Sequence, residues 1–210
     1  MTKTRIPTQK RSLEKYEKII AAAYKLFNEK GYYNTTTTDI AKESGVAIGS
    51  IYSYFLDKKE IYMEILKRIS DKFEAPTHDF WTQKGSIAAM DEQEIKALFK
   101  IFIEIMMECH NFSKLFHDDM MALELLDEDI AKIKKQNENI RNQRTRDVFD
   151  IISIPFHTPE GSDIFLHYCN LLIDDVCHTI LYDEAVPDKE IYLQQTVDLL
   201  YKSFQNLADF

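Results

Sequence analysis

Apolar residues recur at spacings of three and four along almost the whole of this chain, and that period allows little except packed α-helices. An early stripe reads Tyr16, Ile19, Ile20, Ala23, Leu26 and Phe27; a later one reads Ile95, Leu98, Phe99, Phe102, Ile105, Met106 and Cys109. With 5 Gly and 5 Pro in 210 residues, few positions interrupt these stripes. The expected fold class is all-α: an N-terminal three-helix helix-turn-helix domain, linked by a fourth helix to a larger helical domain. A chain of this length buries a full core without a metal or disulfide staple.

Punctuation sets the expected order of helices. The first runs from about Ser12 to Lys30, and Gly31 ends it as a left-handed cap would. Thr36 and Asp39 have capping-box spacing for a second helix, Asp39 to Ser44, closed by Gly45. A tight turn from Val46 to Gly49 leads into a short third helix, Ile48 to Phe55. Asp57 with Glu60 opens a fourth, reaching about Phe73. Pro76 and Gly85 mark residues 74–90 as a loop or broken helix between head and body. Asp91 with Glu94 caps the next helix, and another long stretch covers 112–153 with a break near Asp127. Thr158-Pro159 and Pro187-Asp188 start the last two helices. The expected domains are 1–57 and 58–210.

Charge is divided unevenly. Residues 1–70 hold 13 basic against 8 acidic side chains, a balance of +5, so that the remaining 140 carry −14 of the net −9. A basic head on an acidic body suits a nucleic-acid-binding end whose field is kept local. An ordinary solvated surface gives the same balance, and charge alone does not separate the two. Cys109, Cys169 and Cys177 form neither an even set nor a C-x-x-C pair and read as buried thiols. The start MTKTRIPTQKRSLEK lacks the apolar centre of a signal peptide, and no run of about 18 apolar residues is seen, so a cytoplasmic protein without a membrane partner is expected.

Residues 36–58, TTTDIAKESGVAIGSIYSYFLDK, hold the functional signal: two brief helices around a glycine turn. Ile40, Ala41, Val46, Ile51 and Phe55 must face the first helix, which frees the opposite side of the third helix for a DNA major groove. The N-terminus of the second helix can offer N–H groups to a phosphate, with Thr36, Thr37 and Lys58 placed to add hydroxyl and ammonium contacts. The pattern G-Y-x-x-T-T-x-x-D-I-A-x-x-S-G-V-x-x-G-S-I-Y-x-Y-F-x-D-K-x-E resembles the DNA-binding head of the TetR family of regulators, over about residues 12–70.

That resemblance implies an all-α homodimer, usually a repressor, whose last two helices form the dimer interface. It implies phosphate contacts at Thr37, Tyr52, Tyr54 and Lys58, and base-edge contacts at Ala47, Ile48, Gly49, Ser50 and Ser53. Ala47 departs from the family pattern, where Ser or Thr is frequent. With no Arg or Asn in the recognition helix, bidentate reading of guanine is unavailable there. Specificity then falls to thymine methyl contacts, Ser hydroxyls, DNA shape, or the basic tail of Lys3, Arg5, Lys10 and Arg11. Tyr52 and Tyr54 have a second reading, as rings wedging helix three against helix four.

For the body, Trp81, Phe99, Phe102, Met106, Phe116, Met120 and Tyr168 are the expected lining of an apolar pocket for an unknown small-molecule effector; Met107, Phe112 and Met121 extend the set. Each of them alone reads first as plain core, and only the group points to a pocket. Leu193, Val197, Leu200, Phe204 and Leu207 form a narrow seam, whose partner is this chain or a second copy. With Tyr168 and Leu172, its residues Leu193, Val197, Leu200 and Phe204 form the expected dimer interface. His78, His110, His117, His157, His167 and His178, with Asp118, Asp119, Asp174 and Asp175, show no H-x-x-x-H or C-x-x-C pair, so no metal site is expected. A cation held by Asp118, Asp174 or Asp175 is a further reading, beside that of solvated helix faces. No cofactor and no catalytic residues are expected, since no G-x-S-x-G, P-loop or dinucleotide fingerprint is present. The expected function is a ligand-released, operator-binding repressor acting on double-stranded DNA. The alternative is a helical protein-binding or accessory DNA-binding module with no ligand.

Overall fold

The structure is a computed structural model that describes residues 7–83, 86–87, 90–110, 112–186 and 188–208, with side chains left out at 73–78 and 82. Lys3 and Arg5 of the basic tail lie outside the described residues. Among those described, the elements are α1 (Lys10–Lys30), α2 (Thr37–Ser44), α3 (Ile48–Ile51), α4 (Lys58–Thr82), α5 (Glu92–Cys109), α6 (Lys114–Leu126), α7 (Glu128–Ile151), α8 (Pro159–Tyr182) and α9 (Lys189–Leu207). No strand forms among them; one isolated antiparallel bridge pairs Phe156 with Ala208. The fold is all-α, as the apolar period requires.

Caps chosen by the sequence stop and start these helices. Thr36 and Asp39 form a reciprocal capping box at α2, and Asp91 and Glu94 form another at α5. At α4, Asp57 accepts from the Glu60 amide at 2.9 Å while Glu60 accepts from the Leu56 amide at 2.6 Å. Asp127 ends α6 and opens α7, its carboxylate accepting from the amides of Asp129 and Ile130 at 3.0 and 3.3 Å.

Three expectations are corrected. Helix α4 continues to Thr82 instead of ending near Phe73, because Trp81 is buried and packs against Phe80 and Phe102, which rewards the extra turns. Helix α3 is four residues long, with a turn rather than helix at 52–54. Gly31 has positive φ but an extended ψ, +82° and 167°, so it is not a left-handed cap; Gly45, at 65° and 21°, is one.

The chain forms two compact units, Met1–Ser70 with Phe112–Asn137, and Asp71–Asn111 with Glu138–Phe210. Their limits do not follow residue 57. In the first, α1 packs on α2 and α6 around buried Tyr16, Phe27, Ile40, Phe55 and Tyr62. Helix α6 belongs to it because Phe116 is fully buried against Tyr24 and Tyr62, with ring centroids at 5.7 and 5.5 Å. Polar ties fix the same join: the Ser113 hydroxyl donates to the Asn28 carbonyl at 2.8 Å, and Asp119 accepts from the Tyr32 amide at 2.5 Å. Lys59 adds ion pairs to Asp127 and Asp129 at 3.1 and 2.8 Å.

In the second unit α5, α8 and α9 pack together around Phe99, Phe165 and Phe204, whose ring centroids lie 5.3 to 6.1 Å apart. Helix α8 is long and apolar enough, by length and composition, to match a membrane span. Its buried residues Phe165, Leu166, Ile173, Val176, Cys177 and Ile180 account for much of that character as core.

Candidate nucleic-acid interface

The head presents a short helix on a rigid scaffold. Ile51 and Phe55 are 1% exposed, and Phe55 stacks on Tyr16 with ring centroids 5.0 Å apart, so that one side of α3 and its following turn is locked to α1. Ala47, Ile48, Gly49, Tyr52 and Ser53 lie exposed on the other side, and Ser50 is half-buried. A Cβ at Gly49 would meet nothing within 4 Å, so the head's own packing does not require glycine there. Its small size leaves that face open to a close partner.

Helix α2 is positioned by its ends. The Asp39 carboxylate accepts from the Thr36 amide and hydroxyl at 2.9 and 2.7 Å and pairs with Lys30 at 2.9 Å. These charge-assisted bonds hold the Asp39 carboxyl well below its ordinary range, the Lys30 ammonium being the largest cause. The second end turns through left-handed Gly45, whose amide reaches the Ala41 and Lys42 carbonyls. Lys25 to Glu43, at 2.6 Å, is a further tie to α1.

Among the expected DNA contacts, Ala47, Ile48, Gly49, Ser50, Tyr52 and Ser53 come together on this face. Ile48 and Tyr52 are 42% and 53% exposed. Thr37 is half-buried in the first turn of α2, while the Thr36 hydroxyl is committed to the cap. Tyr54 is half-buried and meets Tyr16 of α1 edge-on at 6.0 Å, a packing contact with the first helix. Lys58 is placed otherwise than expected. Its ammonium donates to the carbonyls of Tyr32 and Thr35 at 2.6 and 2.8 Å and sits 4.0 Å over the Tyr32 ring, tying down the loop before α2. Burial lowers its pKa.

The expected pocket residues do not form one group. Phe116 and Met120 belong to the first unit's core, whereas Trp81, Phe99, Phe102 and Met106 belong to the second. Within the second, Trp81 and Phe99 are buried, Phe102 and Met106 are half-buried, and Tyr168 is 42% exposed on α8. The seam Leu193, Val197, Leu200 and Phe204 is at most 6% exposed, spent on α5 and α8 of the same chain, so it has no face for a second copy. Leu172 is half-buried on that core. Beside the expected Tyr168, sequence reasoning missed the rest of the outer rows, Ile164 and Leu171 on α8 and Ile191 and Leu199 on α9; all five are 41 to 60% exposed. Their spacing of three, four and eight was the available signal.

A helix-turn-helix head of this kind defines a class of DNA-binding proteins that place a recognition helix in the major groove. Residues 19–65 match the model of the bacterial regulatory proteins of the tetR family. The chain is similar to the HTH-type transcriptional regulator HbdR of Aromatoleum sp. (strain CIB), 49% identical over 61 residues covering 29% of this chain and 27% of that protein. It is also similar to the HTH-type transcriptional regulator RutR of Escherichia coli (strain K12), 29% identical over 108 residues covering 51% of this chain and 49% of that protein. The chain thus matches about a quarter to a half of these relatives' length. In fold it is similar to a TetR-family regulator from Mesorhizobium loti, with TM-score 0.75 and 18% identity over 96% of this chain and 100% of that one. Residues 19–65 thus resemble the DNA-binding head of the TetR family, and the whole chain shares the fold of a TetR-family regulator.

Proposed function

We propose that the chain is a DNA-binding transcriptional repressor that engages a palindromic operator as a homodimer and is released by a small molecule. The exposed face of Ala47, Ile48, Gly49, Ser50, Tyr52 and Ser53, held by a buried scaffold beneath, carries this reading. Ile48 and the Ala47 methyl offer apolar contact to thymine methyls, and the serines offer hydroxyls to base edges. Tyr52 and the amides opening α2 serve the phosphates, with Thr37 beside them. Lys58 acts one step back, by fixing the loop that presents α2.

Two copies on a palindrome need half-sites one helical turn apart, about 34–36 Å. The exposed apolar rows on α8 and α9 supply a self-complementary face for the dimer. The aromatic set of Trp81, Phe102 and Met106, half-buried in part, supports an effector with apolar surface. A cytoplasmic location follows from this work on DNA.

The test is retention of genomic fragments by purified protein at two salt concentrations, with sequencing of what is held. Enrichment of a palindrome that weakens steeply with salt supports the reading. If nothing is enriched at low salt, with or without a small-molecule cell extract, the reading falls.

A further inference from the structure

We infer that His110, Asp174 and His178 form a binding site for a divalent transition-metal ion of the zinc class. Each offers one ligand atom, and the three atoms lie within 4.8 Å of one another. They come from two elements: His110 caps the end of α5, and Asp174 and His178 stand one turn apart on α8. All three belong to the second unit.

The geometry is close to what such an ion requires. With bonds of about 2.0–2.1 Å, tetrahedral ligand atoms stand roughly 3.4 Å apart. His178 Nδ1 and the Asp174 carboxylate already lie at 3.5 Å. The ring centroids of His110 and His178 are 5.2 Å apart, and the His110 ligand atom lies within 4.8 Å of the other two.

A second, independent observation concerns the proton on His110. Its Nδ1 lies 2.7 Å from the Met106 carbonyl, which can only accept. Nδ1 therefore carries the hydrogen, and the lone pair is on Nε2. A ring nitrogen donating to a backbone carbonyl is the usual outer support of a metal-binding histidine, because it fixes both the tautomer and the ring plane. His178 is oriented in turn by stacking on Tyr182, with centroids 5.9 Å apart.

Neighbouring groups narrow the choice of metal. Cys109, next to His110, turns its thiol to the Lys72 carbonyl. The grouped ligand atoms are those of two imidazoles and a carboxylate. That set suits Zn²⁺, Co²⁺ or Ni²⁺ rather than Cu⁺, and its nitrogen share disfavours Mg²⁺ and Ca²⁺. Three protein ligands leave a fourth position for water, as in an exchangeable site rather than a closed structural one.

The site is independent of the DNA-binding reading and is tested without DNA. Metal-free full-length protein is titrated with Co²⁺, followed by visible absorbance, and the bound Co²⁺ is then displaced with Zn²⁺. One saturable equivalent per chain is expected. Asp174→Asn, at an exposed carboxylate whose loss leaves the core untouched, should weaken binding by about tenfold or more. His110→Asn and His178→Asn should do the same, with helix content checked by circular dichroism, while His167→Asn on α8 should bind as the parent does. Absence of saturable binding by the parent protein, or an unchanged affinity in Asp174→Asn, overturns the site.

Discussion

At the scale of single residues, the join between α1 and the loop before α2 depends on Gly31. Its φ of +82° with extended ψ is a region open to glycine, and a Cβ there would come 2.7 Å from Asp119 Oδ2, the oxygen that accepts the Tyr32 amide. Gly31→Ala should cost about 1–3 kcal/mol in urea unfolding, a backbone strain of ordinary size; a change under about 0.5 kcal/mol would mean that the loop relaxes freely. Tyr62 makes the opposite case. Its ring is fully buried among Phe27, Tyr32 and Phe116, yet its hydroxyl has no hydrogen-bond partner among the described residues. Tyr62→Phe removes an uncompensated polar group and keeps the ring, so stability should be unchanged or higher by up to about 1 kcal/mol. A loss above about 1 kcal/mol in the same unfolding assay would show that the hydroxyl is bonded in solution.

At the scale of elements, α2 is tied to α1 by charge as well as by packing. Asp39, shifted below its ordinary value by Lys30 and the Thr36 bonds, stabilises the head while it is ionised. A depressed folded-state pKa contributes stability that is present above the unfolded value, about 3.9, and is lost as pH falls below it. Acid shifts in the same direction hold for Glu17, on Arg68, and for Asp127, on Lys59, whose bonds outweigh its partial burial. The melting temperature should therefore fall from pH 5 toward pH 3, and fall less in Asp39→Asn, which starts lower; equal slopes in the two proteins would remove Asp39 from the account. Helix number and caps were legible because Thr36, Asp91 and Thr158 act within one turn of chain. The length of α4 was not, since burial of Trp81 decides it. Nor was the allegiance of α6: Phe116 has the same apolar stripe whichever core takes it, and only the long-range contacts with Tyr24 and Tyr62 settle the matter. The recognition face could be read because its buried and exposed sides alternate within a few residues. The inward turn of Lys58 could not, because its carbonyl partners lie 23 and 26 residues away. The same holds for His110, whose grouping with Asp174 and His178 joins two helices far apart in sequence; only the Asp174-x-x-x-His178 half was visible locally.

At the scale of the whole molecule, the proposed activity rests on two copies acting together, because one four-residue helix without Arg or Asn has little to offer a base pair. The dimer must then use surface that the single chain leaves uncovered. The sequence seam on α9 is consumed inside the chain, so the face falls to Tyr168 and Leu171 on α8 and to Ile191 and Leu199 on α9. Leu171 and Leu199 are 57% and 56% exposed, so a charge at either costs the isolated chain little, whereas in the centre of an apolar interface it leaves an unpaired buried carboxylate. The double variant Leu171→Glu/Leu199→Glu should keep its helix content yet sediment as a monomer where the parent protein is a dimer. Its affinity for the enriched operator should fall by at least about a hundredfold, with a shallower dependence on salt, because one head neutralises half the phosphates. A variant that stays dimeric moves the interface elsewhere on the body, and a parent protein that sediments as a monomer while binding a palindrome would remove the homodimer from the mechanism.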